Sequence, residues 1–419
     1  MFDLDRFQEI WVTITRNKTR SLLTGFGVFW GIFMLVIMLG AGQGLENGMM
    51  KGLDGFATNS CFFYTSPTSE PYKGFKKGRR WDIHNRDIEV LKRTVKELEY
   101  ASPMLWGARG TNNVARNDRA GSFTVRGLHP NYSKIEQQRM KYGRFINEVD
   151  ILQKRKVCVI GTSVYEELFK RNENPLGHYI RVNGVYYQVV GVASGVSRVS
   201  IGGRSSEQVA IPFSTMQQIT NQGDVVHFMG ATARKGYTAE QLEDRIKEVL
   251  RAQNNIAPTD LQAVGSFNLE KQFKMFDNLF LGISSLIWIV GMGTLLAGII
   301  GVSNIMLVTV RERTREIGVR RALGAKPLTI LNQVVSESLL LTSLAGVLGL
   351  CFGVGLLAAV NTGLESMPDT GNTFFSNPII PFYVAVVSFG VLLVSGLIAG
   401  VLPAWRALQI KAIDAIREE

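Results

Sequence analysis

Residues 310–326 read V-R-E-R-T-R-E-I-G-V-R-R-A-L-G-A-K, and this run decides the architecture of the 419-residue chain. Thirty-three uncharged residues, Asn278 to Val310, precede it. As helix, at ~1.5 Å rise each, they reach about 50 Å. A hydrocarbon core is only about 30 Å thick. A helix long enough to cross a membrane therefore runs directly into six cations and two carboxylates. Short cation-rich loops beside spans stay cytoplasmic, so the run is expected at the inner membrane face. Charge alternating with Ile317, Val319, Ala322 and Leu323 predicts a short amphipathic helix over 315–323, and Gly324 can supply the left-handed residue that ends it.

The segment T-R-E-I-G-V-R-R-A-L-G-A at 314–325 resembles the loop of MacB/FtsX-type ABC transporter permeases that couples to the ATPase. On charge alone, a loop that merely anchors topology reads equally well. The order E-I-G-x-R-x-A-x-G-A between the second and third spans carries the resemblance. It implies an interface with a cytoplasmic ABC ATPase over Arg313, Arg315, Glu316, Ile317, Gly318, Arg320, Arg321, Leu323, Gly324, Ala325 and Lys326. Arg315, Glu316, Arg320 and Arg321 would meet the ATPase, with Ile317 and Leu323 seating the helix in its groove.

Working outward, four spans are expected: 21–45, 279–310, 327–360 and 382–405. Arg16, Lys18 and Arg20 before the first, Arg406, Lys411 and Arg417 after the fourth, and a loop at 361–380 with Glu365, Asp369 and no cation place both termini inside. Leu4, Phe7, Trp11 and Ile14 share one helical face, so residues 1–20 predict a cytoplasmic interfacial helix. Small residues four apart are expected to pack helices: Ala297 and Gly301, with Gly298 beside them widening the patch; Ala345, Gly349 and Gly353; Gly396 and Gly400. Whether they fill one bundle or form a dimer seam stays open; the resemblance implies a dimer with a second copy or a paralogue. Glu337, inside the third span, is a candidate intramembrane polar site, with a reach to the headgroups as its plainer reading.

Residues 46–275 form the outer domain, where 33 Lys and Arg face 23 Asp and Glu. That surplus of ten, spread over some 230 residues, gathers into no stripe and argues against nucleic acid. Strand, helix and strand at 61–64, 82–99 and 225–233, then a Thr238–Gln241 capping box opening a helix along Leu242, Ile246 and Val249, then a strand at 261–267, suggest one α/β domain split in sequence. Between them, Val157–Ile160 reads as a strand, Ser163 and Glu166 as a second capping box, and Asn183-Gly184 as a hairpin turn. Cys61 and Cys158 could pair; Cys351 lies in a span.

Stretches at 143–150, 157–162, 174–192 and 211–216 look like the periplasmic region of MacB-type permeases. The resemblance implies a membrane protein with four transmembrane helices and an α+β periplasmic domain between spans one and two. Its porter-like part would cover 46–128 and 211–275, with a β-rich, sabre-like insert at 129–210. No G-x-x-x-x-G-K-[ST] occurs, Gly40, Gly42, Gly44 and Gly48 follow a membrane helix instead of a strand, and neither a catalytic pattern nor metal spacing stands out. The family's fused member carries its ATPase ahead of span one. Here about 20 residues precede it, so ATP–Mg is expected on a separate subunit and no cofactor in this chain. The expected role is a non-enzymatic permease of the bacterial inner membrane that carries ATP-driven motion to the periplasm. By resemblance it would work with an adaptor and an outer-membrane channel in cargo export. A LolC/LolE-like lipoprotein-releasing permease and an FtsX-like regulator of a cell-wall hydrolase are the alternatives.

Overall fold

The computed structural model describes residues 18–107, 112–196, 204–366, 375–380 and 382–408. The interfacial helix expected over 1–20 therefore lies outside the described residues, except for its last three. The chain divides into two compact units: residues 1–49 with 278–419, and residues 50–277.

The first unit rests on four helices long and apolar enough to cross a membrane, Lys18–Leu53, Leu269–Glu312, Pro327–Ser366 and Phe382–Leu408. All four extend beyond their expected bounds, because polar and charged residues at the ends keep helical backbone once a span has nucleated it. Small residues set the closest approaches. A Cβ at Gly349 would lie 2.6 Å from the Phe29 carbonyl oxygen, and one at Gly353 would lie 2.5 Å from Val36. Ala345 continues this seam against Gly25, so the first and third spans touch almost backbone to backbone. Gly396 and Gly400 admit Thr342 and Ser338 of the third span to the fourth, and Ser338 Oγ donates to the Gly396 carbonyl at 3.2 Å. The second span differs from the expectation. Gly298 packs on Gly27, whereas Ala297 is exposed and a Cβ at Gly301 would meet nothing within 4 Å. The spacing was right for a small patch, but one residue's rotation, about 100° of helix, sets which side is used.

The second unit is built on an eleven-stranded sheet. From one edge run Val264–Asn268, Ser60–Thr65, Phe228–Ala233 and Leu98–Trp106, each antiparallel to the next. Strands from both ends of the domain's sequence thus interleave. Helices Asn85–Thr94 and Ala239–Gln253 cover this part, burying Ile88, Leu91, Leu242, Ile246 and Leu250 in one core. The next strand, Arg119–Leu128, also belongs to a ring. Pairings run from it through Asn112–Arg116, Tyr179–Val182, Val185–Gly195, Val157–Gly161 and Gln208–Pro212, which pairs back in parallel with Arg119–Leu128. Six strands therefore close a small barrel. The expected insert boundary at 128/129 cuts this ring, because hairpin 112–128 supplies two of its strands through pairs such as Val114 with Val182.

Several local expectations change. The helix expected over 82–99 stops at Thr94, since Val95 is extended (φ −97°, ψ 101°) and Leu98 starts a strand. Leu250, not Val249, completes the buried face of Ala239–Gln253. Ser163 lies within helix Thr162–Leu168, whose N-cap is Gly161 without a side-chain cap bond. Thr238 and Gln241 do form a reciprocal capping box. Asn183 and Gly184 turn with φ of 47° and 90°, the left-handed pair a two-residue hairpin demands. Cys61 and Cys158 are both buried and free, and burial pushes both thiols far up.

Candidate coupling site

A helix of nine residues, Thr314–Ala322, lies between the second and third spans. Arg313 makes the corner from Glu312, with φ −98° and ψ 13°. Gly324 ends the element at φ 92°, where a side chain would be strained. Bonds to the third and fourth spans fix one side of this helix. Arg313 Nη1 lies 3.5 Å from a carboxylate oxygen of Glu337, which is only 6% exposed. Arg320 donates to Glu316 at 2.8 Å and to Gln333 at 3.0 Å, and Arg321 donates to the Leu408 carbonyl at 2.8 Å. Ile317 and Gly318 are buried; Ile317 packs in a cluster with Met306, Val310, Ile330 and Val334.

The other side is open. Arg315, Glu316, Val319, Leu323 and Lys326 are exposed, Leu323 by 83%. Two expectations change accordingly. Ile317, expected in a groove of the ATPase, lies in the groove of its own chain. Arg320 and Arg321, expected to meet the ATPase, are half-buried and bind the third and fourth spans. The alternation of charge could not reveal this, since a guanidinium bonds equally well to its own bundle or to a partner. Glu337 is placed by the same geometry, as an ion-pair partner of the corner residue.

At its other end, helix Leu269–Glu312 is rooted in the second unit by a joint that sequence reasoning did not single out. Glu243, 4% exposed, accepts from Lys247 Nζ at 2.6 Å, Ser266 Oγ at 2.6 Å and Asn268 Nδ2 at 2.8 Å, and Lys271 Nζ lies 3.3 Å away. Burial by itself would raise this carboxyl, but the bonds from Lys247, Ser266 and Asn268 outweigh it and hold the group down at about 2. Glu270 accepts from the Ala239 amide and from Lys274 Nζ, both at 2.6 Å. Two helix N-termini therefore meet here, each with unsatisfied amides and a positive dipole end, and Glu240, Glu243 and Glu270 answer that charge. A Glu at the second position past a capping box was the only sequence signal, and it is a faint one.

The MacB-like periplasmic core domain family matches residues 21–249, and the FtsX-like permease C-terminal family matches 288–412. A macrolide export ATP-binding/permease protein MacB of Bdellovibrio bacteriovorus is 27% identical over 412 residues, 97% of this chain and 60% of that protein. A pyoverdine export ATP-binding/permease protein PvdT of Pseudomonas savastanoi pv. phaseolicola is 28% identical over 421 residues, 99% of this chain and 60% of that one. The chain thus spans about 60% of the length of these relatives. Among solved structures, the periplasmic region of MacB from Actinobacillus actinomycetemcomitans superposes with a TM-score of 0.43 at 17% identity, covering 54% of this chain and 96% of that one. With a family match across more than half its residues, four membrane-spanning helices and an α/β domain between the first two, the chain belongs to the MacB-like periplasmic core domain family as a multi-pass FtsX-like permease.

Proposed function

We propose that this chain is the permease of an ABC transporter that converts nucleotide-driven motion at the inner membrane face into movement of its periplasmic domain, powering export of periplasmic cargo. The single observation that carries this is the two-sided helix Thr314–Ala322: one face tied to the third and fourth spans, the other presenting Arg315, Glu316, Val319, Leu323 and Lys326. An ABC ATPase holding ATP–Mg docks on the open face. No Walker A sequence occurs in these 419 residues, so the nucleotide is held elsewhere. Both termini lie in the cytoplasm by the distribution of cations about the spans. Two permeases work as a pair, with Ala297 and Gly301, which face away from their own bundle, as the seam. Helix Leu269–Glu312, about 66 Å long, acts as the push-rod. The export assignment draws on the names of the MacB and PvdT relatives; a periplasmic adaptor and an outer-membrane channel complete the proposed assembly.

The test reverses and breaks the open face. Glu316→Arg combined with Leu323→Asp should lower co-purification with the ABC ATPase, and permease-dependent ATP hydrolysis, by at least about tenfold, with the permease's own melting unchanged. Retention of both would sink the assignment.

A further inference from the structure

A cleft of about 110 Å³ opens in the first unit between the first, second and fourth spans. Gln43, Glu46, Phe280, Ile287, Trp288 and Tyr383 frame it. Spans one and two lead into the periplasmic domain at residues 46–53 and 269–280, so the cleft is at the periplasmic end of the bundle. Three boundaries meet there. Glu46 closes the 25-residue uncharged run of span one, Phe280 lies three residues past Asp277, and Tyr383 begins span four. This is headgroup depth, where Trp and Tyr belong.

The walls are two-natured. Phe280 and Ile287 are buried and give an apolar floor, with Leu39 and Ile283 beside them. At the rim Glu46 is half-buried. Its only side-chain neighbour within hydrogen-bond distance is Gln43, whose Nε2 stands 3.4 Å away, and it makes no ion pair among the described residues. Gln43 and Asn47 are committed elsewhere as well, to each other at 3.3 Å and to the Asn377 carbonyl at 2.9 Å. A half-buried carboxylate with no protein cation beside it attracts a cationic partner, and the rings of Trp288 and Tyr383 favour a cation too. We propose that the cleft binds a cationic amphiphile, its alkyl chain on the Phe280–Ile287 floor and its ammonium group against Glu46. An anionic head would meet Glu46 as a like charge, and a neutral one would leave it unanswered. The site is independent of whatever moves the coupling helix.

The full chain in phosphatidylcholine nanodiscs can be titrated with a nitroxide-labelled alkylamine and with the alcohol of the same chain. Quenching lost on Trp288→Phe isolates this site from the other five tryptophans. The amine should saturate at an at least tenfold lower mole fraction than the alcohol. Glu46→Gln should erase that preference while leaving the alcohol unchanged. Gly42→Leu, whose Cβ would lie 3.1 Å from Ile287 Cδ1, should remove saturable quenching by both. Equal saturation by amine and alcohol, or a preference that survives Glu46→Gln, overturns the proposal. Repeating the titration with phosphatidylethanolamine in the disc separates the sources: competition identifies the bilayer's aminolipid, and unaltered binding identifies an amine-bearing amphiphile from outside it.

Discussion

Two stretches of chain, its roots, join the periplasmic domain to the membrane helices, and they are built differently. After span one, residues 54–59 form a turn-rich passage to strand Ser60–Thr65, held by backbone bonds such as Ala57 N–H to the Ile135 carbonyl at 2.8 Å and by Asn59 Nδ2 to the Ala233 carbonyl at 2.5 Å. Span two has no passage at all: strand Val264–Asn268 ends at the residue before helix Leu269–Glu312 begins. Glu243 then ties Ser266, Asn268 and Lys271 to helix Ala239–Gln253. A turn can rotate about its φ and ψ angles, but a buried, fully bonded carboxylate cannot yield without stranding its donors. Under the proposed coupling, span two delivers the stroke and span one follows it.

The largest expected effect breaks that contrast directly. Glu243→Ala leaves Asn268 and two lysines around an empty site, a loss on the order of 3 kcal/mol. For the 228 residues of 50–277 this corresponds to a fall in melting temperature of roughly 6–12 °C. Asn59→Ala removes one bond at the looser root and should cost about 1 kcal/mol, or roughly 2–4 °C. Thermal denaturation of the two full-length variants decides it: equal losses would mean the roots are equally stiff.

The same contrast between tied and open faces recurs among the membrane helices. Gly349→Leu forces a side chain into the Phe29 carbonyl and should cost about 1–3 kcal/mol by overpacking. Gly301→Leu meets open space and should leave the protomer's stability within about 0.5 kcal/mol. Its effect should appear instead in the fraction of cross-linked pairs, which drops if a second copy sits on Ala297 and Gly301. An unchanged dimer fraction would move the seam to another face.

How much of this was legible in the sequence follows from what each signal encodes. Long uncharged runs report spans because the bilayer tolerates nothing else, and Asn183-Gly184 reports a turn because few pairs accept two positive φ angles. The short helix Thr314–Ala322 and its terminal glycine were readable for the same local reasons. Which face of that helix is free was not, because Arg320 and Arg321 find partners 13 and 87 residues away, Gln333 and Leu408. The barrel ring also rests on a long-range pairing, Gln208–Pro212 with Arg119–Leu128, that no alternation pattern announces. Glu243 was invisible because an acid one turn into a surface helix normally faces water.

A titration sharpens the account of the stiff root. The Glu243 carboxyl is held at about 2, against an ordinary value of 4.5. A folded value below the ordinary one means that ionised Glu243 favours the fold. This stabilisation is whole above about pH 4.5 and drains away as pH falls toward 2. At pH 4 the unfolded chain already binds part of a proton that the fold refuses, so about 1 kcal/mol should be lost relative to pH 7. Glu243→Gln keeps the shape, accepts no such proton, and should flatten this limb. The measurement is the gap in unfolding free energy between the full chain and its Glu243→Gln variant, taken from pH 7 to pH 3. A gap that narrows steadily below pH 4.5 locates the stiffness of the span-two root in one ionised carboxylate. A gap independent of pH would assign it instead to the neutral donors Ser266 and Asn268 and to the burial of Leu269.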